Sequence, residues 1–129
     1  MEKSCENILY MGVFIFIMIE HYEFGEFIVD GKKYKSNIVL KGSEAKEGKY
    51  LPGHQLRIDD FLPLIAYKPE IIIIGTGAYG AVKVPKEIID YIEKRKIKVV
   101  IEKTGKACET YNSLIKEGKR VAAFLHNTC

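Results

Sequence analysis

Six consecutive residues, Gly75-Thr76-Gly77-Ala78-Tyr79-Gly80, spell G-x-G-x-x-G directly after the apolar run Ile71-Ile72-Ile73-Ile74. Glu102 follows at about the spacing at which a dinucleotide site places its ribose-binding acid. In such a site the helix begins inside the glycines, so that its free N–H groups face the pyrophosphate. Here Val82, Val84 and Pro85 push the next helix start several residues on. The glycines then belong to a loop, which leaves two readings: a structural turn, or a nest of backbone N–H groups that accepts some other anion.

Loops that leave the carboxyl ends of parallel strands gather at one edge, and open α/β sheets bind their ligands there. The candidate anion site at that edge comprises Thr76, Gly77, Ala78, Tyr79 and Gly80, with Lys103, Thr104 and Lys106 supplying donors and positive charge and with Cys108 and His126 beside them. Cys108 falls in the first turns of a helix, where the dipole and the two lysines favour a thiolate. It also lies on an apolar stripe with Tyr111 and Ile115, and burial there makes a cysteine a small hydrophobe, which is the expected role. Cys108, His126 and Cys129 are soft-metal ligand types, but only His126-x-x-Cys129 forms a short pair, so no metal and no cofactor is expected. His21 and His54 have no acid or base partner visible in the sequence and are expected in loops or on the surface. Glu109 and Glu117 do not share a helix side, so no paired-carboxylate catalyst is indicated. With no nucleophile, base and acid in evident relation, the chain is not expected to be an enzyme.

Composition narrows the classes. A chain of 129 residues can bury one core without staples. Its three cysteines, Cys5, Cys108 and Cys129, are odd in number and irregularly spaced, which fits reduced thiols in a cytoplasmic protein. The net charge of +3 is modest and its lysines are scattered among acids, so nucleic acid is not an expected partner. Residues 8–19 form an uncharged, mostly apolar run that is too short to span a bilayer, and no membrane association is expected. Glu2 and Glu6 outnumber Lys3 ahead of it, unlike a signal peptide. Residues 1–17 are expected to be an upstream extension outside the fold, and residues 18–129 a single domain.

The elements that position these residues follow from patterning. Residues 22–29 and 34–40 read as a β-hairpin turned at Asp30-Gly31, with Gly25 as a bulge. Residues 41–49 read as an exposed loop. Asp59-Asp60 can cap a short helix carrying Phe61, Leu64 and Ile65, which Pro69 ends. Residues 71–74 suit a strand buried on both faces. Pro85 opens a helix with Ile88, Ile89 and Ile92 inward, and residues 98–101 form the next strand. Thr104 can cap a helix with Ala107, Cys108, Tyr111, Leu114 and Ile115 on one face and Gly118 at its end, and residues 121–125 form the last strand. The successive crossovers imply a parallel β-α-β-α-β unit, with both helices expected on one sheet face and the hairpin covering the other.

Three stretches together resemble a known family: Ile74-Gly75-Thr76-Gly77, then Ala107-Cys108-x-Thr110-Tyr111-Asn112, then Glu117-Gly118-Lys119-Arg120-Val121-Ala122-Ala123. From Glu20 onward the chain resembles the Mth-nine-three-eight-like domain family, a domain of unknown function, and its ending, His126-x-Thr128-Cys129, resembles archaeal members. The resemblance implies a β+β/α layered sandwich and no established reaction. Its better-studied members, an adipogenesis-associated protein and a mitochondrial complex I assembly factor, act through protein partners. Many relatives read Gly-Thr-Ser-His where this chain has Leu51-Pro52-Gly53-His54, so any role of those two hydroxyls is lost here. The expectation is therefore a protein-binding or assembly module, monomeric or weakly homo-oligomeric, with a small-anion or metabolite site at the carboxyl edge as the alternative.

Overall fold

The computed structural model describes residues 8–9, 14–15 and 17–129. Two short strands, β1 (Ile8–Leu9) and β2 (Phe14–Ile15), pair antiparallel. β3 (Ile19–Glu23), β4 (Glu26–Val29) and β5 (Lys32–Tyr34) form an antiparallel three-stranded sheet. The chain then enters a five-stranded mixed sheet through β6 (Ile38–Lys41) and β7 (Glu44–Glu47), and after the short helix α1 (Leu62–Ala66) continues it with β8 (Ile71–Gly75). Helix α2 (Lys86–Glu93), strand β9 (Lys98–Glu102), helix α3 (Thr104–Lys116) and strand β10 (Val121–Leu125) complete the fold. The strand order is β7-β6-β10-β8-β9, with β8 parallel to both of its neighbours and β6 and β7 antiparallel. This is the expected layered α/β sandwich around a parallel β-α-β-α-β unit.

The distribution of helices differs from expectation. Ile71, Ile73, Val121, Ala123 and Leu125 pack with Ala107, Tyr111 and Ile115 of α3 and with Phe27 and Val29 of the small sheet. Ile72, Ile74, Ala122 and Phe124 pack on the opposite face, with Ile88 and Ile92 of α2 and Leu64 of α1. The two long helices are thus on opposite faces of the sheet, and the small sheet shares its face with α3. The reason is strand order: β8 to β9 steps outward, whereas β9 to β10 returns across β8, and right-handed crossovers in opposite directions fall on opposite faces.

Three further elements depart from the sequence reading. The second arm of the expected hairpin, residues 34–40, is split: β5 pairs with β4 in the small sheet, while β6 joins the large sheet beside β10. Gly25 is a turn residue between β3 and β4, with φ of 89°, and not a bulge. Within residues 41–49, where the sequence predicts an exposed loop, β7 pairs with β6 as an edge strand whose Glu44 is bridged by Lys41 and Lys46. A charged, solvated edge strand has no apolar periodicity from which to read it. Asn112 fastens the small sheet to α3: its amide accepts from the Ile19 N–H at 2.9 Å and donates to the Ile19 carbonyl at 2.7 Å.

Candidate functional site

The carboxyl ends of β8, β9 and β10 do meet at one edge, and the residues that follow β10 lie across it as a strap. The Gly75 carbonyl accepts from the His126 N–H at 3.0 Å, and the Thr128 and Cys129 carbonyls accept from the Ala78 and Ala81 N–H groups at 2.7 and 2.8 Å. On the other side, the Asn127 N–H donates to Asn37 Oδ1 at 2.7 Å, while the Asn127 carbonyl accepts from Tyr22 Oη at 2.8 Å and from the Gly25 N–H at 3.2 Å.

This strap decides what the glycine loop does. The Thr76 N–H donates to the Glu102 carbonyl, Gly80 to Gly77, and Val82 to Thr76, in addition to the two donors taken by the strap. The Gly77 N–H donates to Thr104 Oγ1 at 2.8 Å, and that hydroxyl donates onward to the His126 carbonyl at 2.8 Å. A Cβ on Gly77 would collide with the Cys129 carbonyl, and its φ of 108° is one that only glycine adopts readily. The loop is therefore closed by the chain itself. Glu102 turns its carboxylate to Thr110 Oγ1, at 2.7 Å.

Of the sequence-derived site residues, the structure brings together Thr76, Gly77, Ala78, Gly80, Thr104 and His126, with the side chain of Lys103 over Gly80. Tyr79 is exposed and its ring sits 6.0 Å from that of Phe24, also exposed. Lys106 faces Glu109 at 4.0 Å on the outer side of α3. Cys108 is buried one turn into the helix, and burial, then Glu109, push its thiol up to about 12. That environment suits the packing role and not a thiolate.

What the sequence did not disclose is a cleft of about 490 Å³ on the β6 side of the strap, lined among others by Lys35, Asn37, Tyr50, His54, His126 and Asn127. His126 is 6% exposed, and neither of its ring nitrogens has a hydrogen-bond partner; the Oδ1 of Asn127 has none either. Burial, and next the neighbouring His54, lower the His126 pKa, so the ring is neutral. His54 stands edge-on to it with ring centroids 5.3 Å apart, and Cys129 Sγ lies 3.9 Å from His54 Nε2. His54 is held there with φ of 58° directly after Gly53 with φ of 65°, two successive left-handed residues. A left-handed histidine is uncommon, and such conformations gather at ligand sites. The available signal was the Pro52-Gly53-His54 turn, but only the fold shows that this turn reaches His126.

The family described as "Protein of unknown function (DUF498/DUF598)" matches residues 19–126. The chain belongs to this family. A Francisella tularensis subsp. holarctica (strain LVS) protein named "13 kDa major membrane protein" is 30% identical over 117 residues, covering 84% of this chain and 89% of that one. The solved structure of MT938 superposes with a TM-score of 0.72 at 27% identity, covering 88% of this chain and 99% of that one. An outer membrane protein from Bartonella henselae superposes at 0.78 with 23% identity, covering 88% and 97%. A Bordetella pertussis protein described as an Mth938-like domain gives 0.62 at 17%, covering 85% of each chain. These matches make the chain an Mth938-like domain. Among the described residues no helix is long and apolar enough to cross a membrane.

Proposed function

We propose that this Mth938-like domain is a non-catalytic cytoplasmic binding module that holds a small polar metabolite in the cleft beside the strap. The carrying observation is His126: a buried imidazole on the cleft wall with both nitrogens unpartnered. A neutral ring offers one donor and one acceptor, and leaving them unmet in a protein interior costs about 1–3 kcal/mol, which a ligand with matching groups removes. Lys35 lines the cleft and, among the described residues, no carboxylate side chain does, so an anionic group is favoured, a carboxylate or a phosphate ester that also carries a hydrogen-bond donor. The ring nitrogens are closed to solvent, so a ligand reaches them only if the side chains around the ring shift. Cys108, the thiol singled out in the sequence, lies away from this cleft, and burial, then Glu109, raise its pKa, so the non-catalytic reading does not rest on it. The odd number and irregular spacing of the three cysteines support a reducing compartment.

A thermal-shift screen of small carboxylates and phosphate esters tests this, read together with the imidazole resonances in NMR. Binders should raise the midpoint and shift the His126 ring signals, and His126→Phe should abolish both effects while His21→Ala keeps them. A stabilising ligand that binds His126→Phe equally well would sink the proposal, as would a screen without any.

A protein partner is the second reading, favoured by Phe24 and Tyr79, which are 53% and 73% exposed and lie tilted against each other beside the strap, with ring centroids 6.0 Å apart. Exposed aromatic pairs of this kind anchor protein interfaces. Loss of a co-purifying protein on Phe24→Ser with Tyr79→Ser would support it, and unchanged recovery would remove it.

A further inference from the structure

We infer that β9 is a self-pairing edge, and that two copies of this chain join antiparallel through it to make one continuous ten-stranded sheet. β9 ends the five-stranded sheet, with β8 on one side and, among the described residues, no strand on the other. The opposite end is guarded: β7 carries Glu44, Lys46 and Glu47, all exposed. Charges of that kind are a common protection for an unpaired edge. β9 instead presents Val99, Val100 and Ile101 in succession, the first two half-buried and Ile101 41% exposed. Its only charges are Lys98 at the start and Glu102 at the end.

The backbone fixes a register. Lys98 N–H donates to the Glu70 carbonyl and the Glu102 carbonyl accepts from the Thr76 N–H, so the even-numbered residues of β9 bond inward, towards β8 and its flanks. By alternation Val99 and Ile101 turn their N–H and C=O groups outward. An antiparallel copy placed about a two-fold axis at Val100 sets Val99 opposite the partner's Ile101 and Ile101 opposite the partner's Val99. Those are the residues with outward groups, so both pairs exchange two N–H···O bonds. Val99 lies on the α2 side of the sheet and Val100 on the α3 side, which places Lys98 and Glu102 on the α3 side with Val100. In this register Lys98 faces the partner's Glu102, and Glu102 the partner's Lys98. Thr110 already holds the Glu102 carboxylate on that side. The strand Lys98-Val99-Val100-Ile101-Glu102 is thus complementary to itself in hydrogen bonds, apolar contact and charge, which is the condition for a two-fold interface. Only five residues pair, so the dimer is concentration-dependent and not obligate.

Charge reversal tests the register and not merely the surface. Lys98→Glu sets glutamate against glutamate twice across the axis, and Glu102→Lys sets lysine against lysine. Each variant alone should dimerise about tenfold more weakly than the parent in sedimentation equilibrium, since opposed like charges destabilise a strand pair. Mixed in equal amounts the two should form a heterodimer of parental strength, because each then meets opposite charges. Thermal midpoints of the two variants monitor folding, and NMR on the parent chain should show the Val99 and Ile101 amides shifting as concentration rises. A parent that stays monomeric into the millimolar range would overturn the inference. So would a dimer indifferent to both reversals, or mixed variants that fail to associate while remaining folded.

Discussion

At the scale of the residue, His126 is where burial and chemistry conflict most openly, and the conflict has a measurable consequence. Desolvation, and then His54, lower its pKa in the folded chain. An unfolded chain titrates histidine near pH ~6.5, so below that value the unfolded state takes up a proton that the folded state refuses. Stability contributed by this residue is therefore present above ~6.5, is lost as pH falls, and stops falling once the folded ring also protonates. The slope in that window is at most about 1.4 kcal/mol per pH unit. His126→Phe keeps an aromatic ring against His54 and removes the proton site, so urea unfolding should show a visibly flatter pH dependence below ~6.5 than the parent chain. Equal slopes would mean that His126 is solvated or paired in solution. The sequence singled out His126 as a site candidate and His54 as a loop residue, but nothing local told that the two rings meet or that the His126 ring is buried without partners.

At the scale of the element, what could be read was whatever depends on local period, and what could not was whatever depends on strand order. The 3.6-residue stripe of Ala107, Cys108, Tyr111 and Ile115 placed α3 correctly, and all four are buried. The face on which α2 packs was not readable, because it follows from β10 lying next to β8 with β9 outside, which no local pattern encodes. The glycine loop shows the same division. Its position at the carboxyl edge was legible, but whether its N–H groups are free was not: Thr128 and Cys129 take those of Ala78 and Ala81, and Glu102, Thr104 and the loop itself take others. Thr104 is the joint of that arrangement. Expected as a helix cap, it makes no side-chain cap bond; it is fully buried and its hydroxyl links the Gly77 N–H to the His126 carbonyl. Thr104→Val preserves shape but orphans both groups, and should cost about 2–4 kcal/mol in chemical denaturation. Thr104→Ser, which keeps the hydroxyl, should recover most of that loss. If valine proves harmless, water replaces the hydroxyl and the strap does not depend on this bridge.

At the scale of the whole molecule, the question is where the fold begins. The sequence suggested Met18, because residues 1–17 showed no evident place in a β-α-β unit. Ile17 nevertheless lies in the core, 6% exposed, among residues of the small sheet and α3. Its carbonyl accepts from the Oη of Tyr111 at 2.9 Å, and Tyr111 is fully buried, its phenol held strongly to the protonated form first by burial and then by Tyr67. The suggested boundary between residues 17 and 18 therefore cuts through a buried contact. A chain that starts at Met18 loses a buried isoleucine and leaves the Tyr111 hydroxyl without its acceptor, two losses that together should cost about 2–5 kcal/mol. The thermal midpoint should fall by roughly 10 °C. The two losses separate in a double-mutant cycle with Tyr111→Phe. In the full chain that substitution breaks a satisfied bond and should destabilise by about 1 kcal/mol. In the Met18 chain it removes an orphaned hydroxyl and should be neutral or stabilising, because replacing both members of a buried pair costs less than replacing one. An unchanged midpoint in the Met18 chain, with Tyr111→Phe equally costly in both backgrounds, would show that water or another group satisfies Tyr111 and that the fold starts where the sequence placed it.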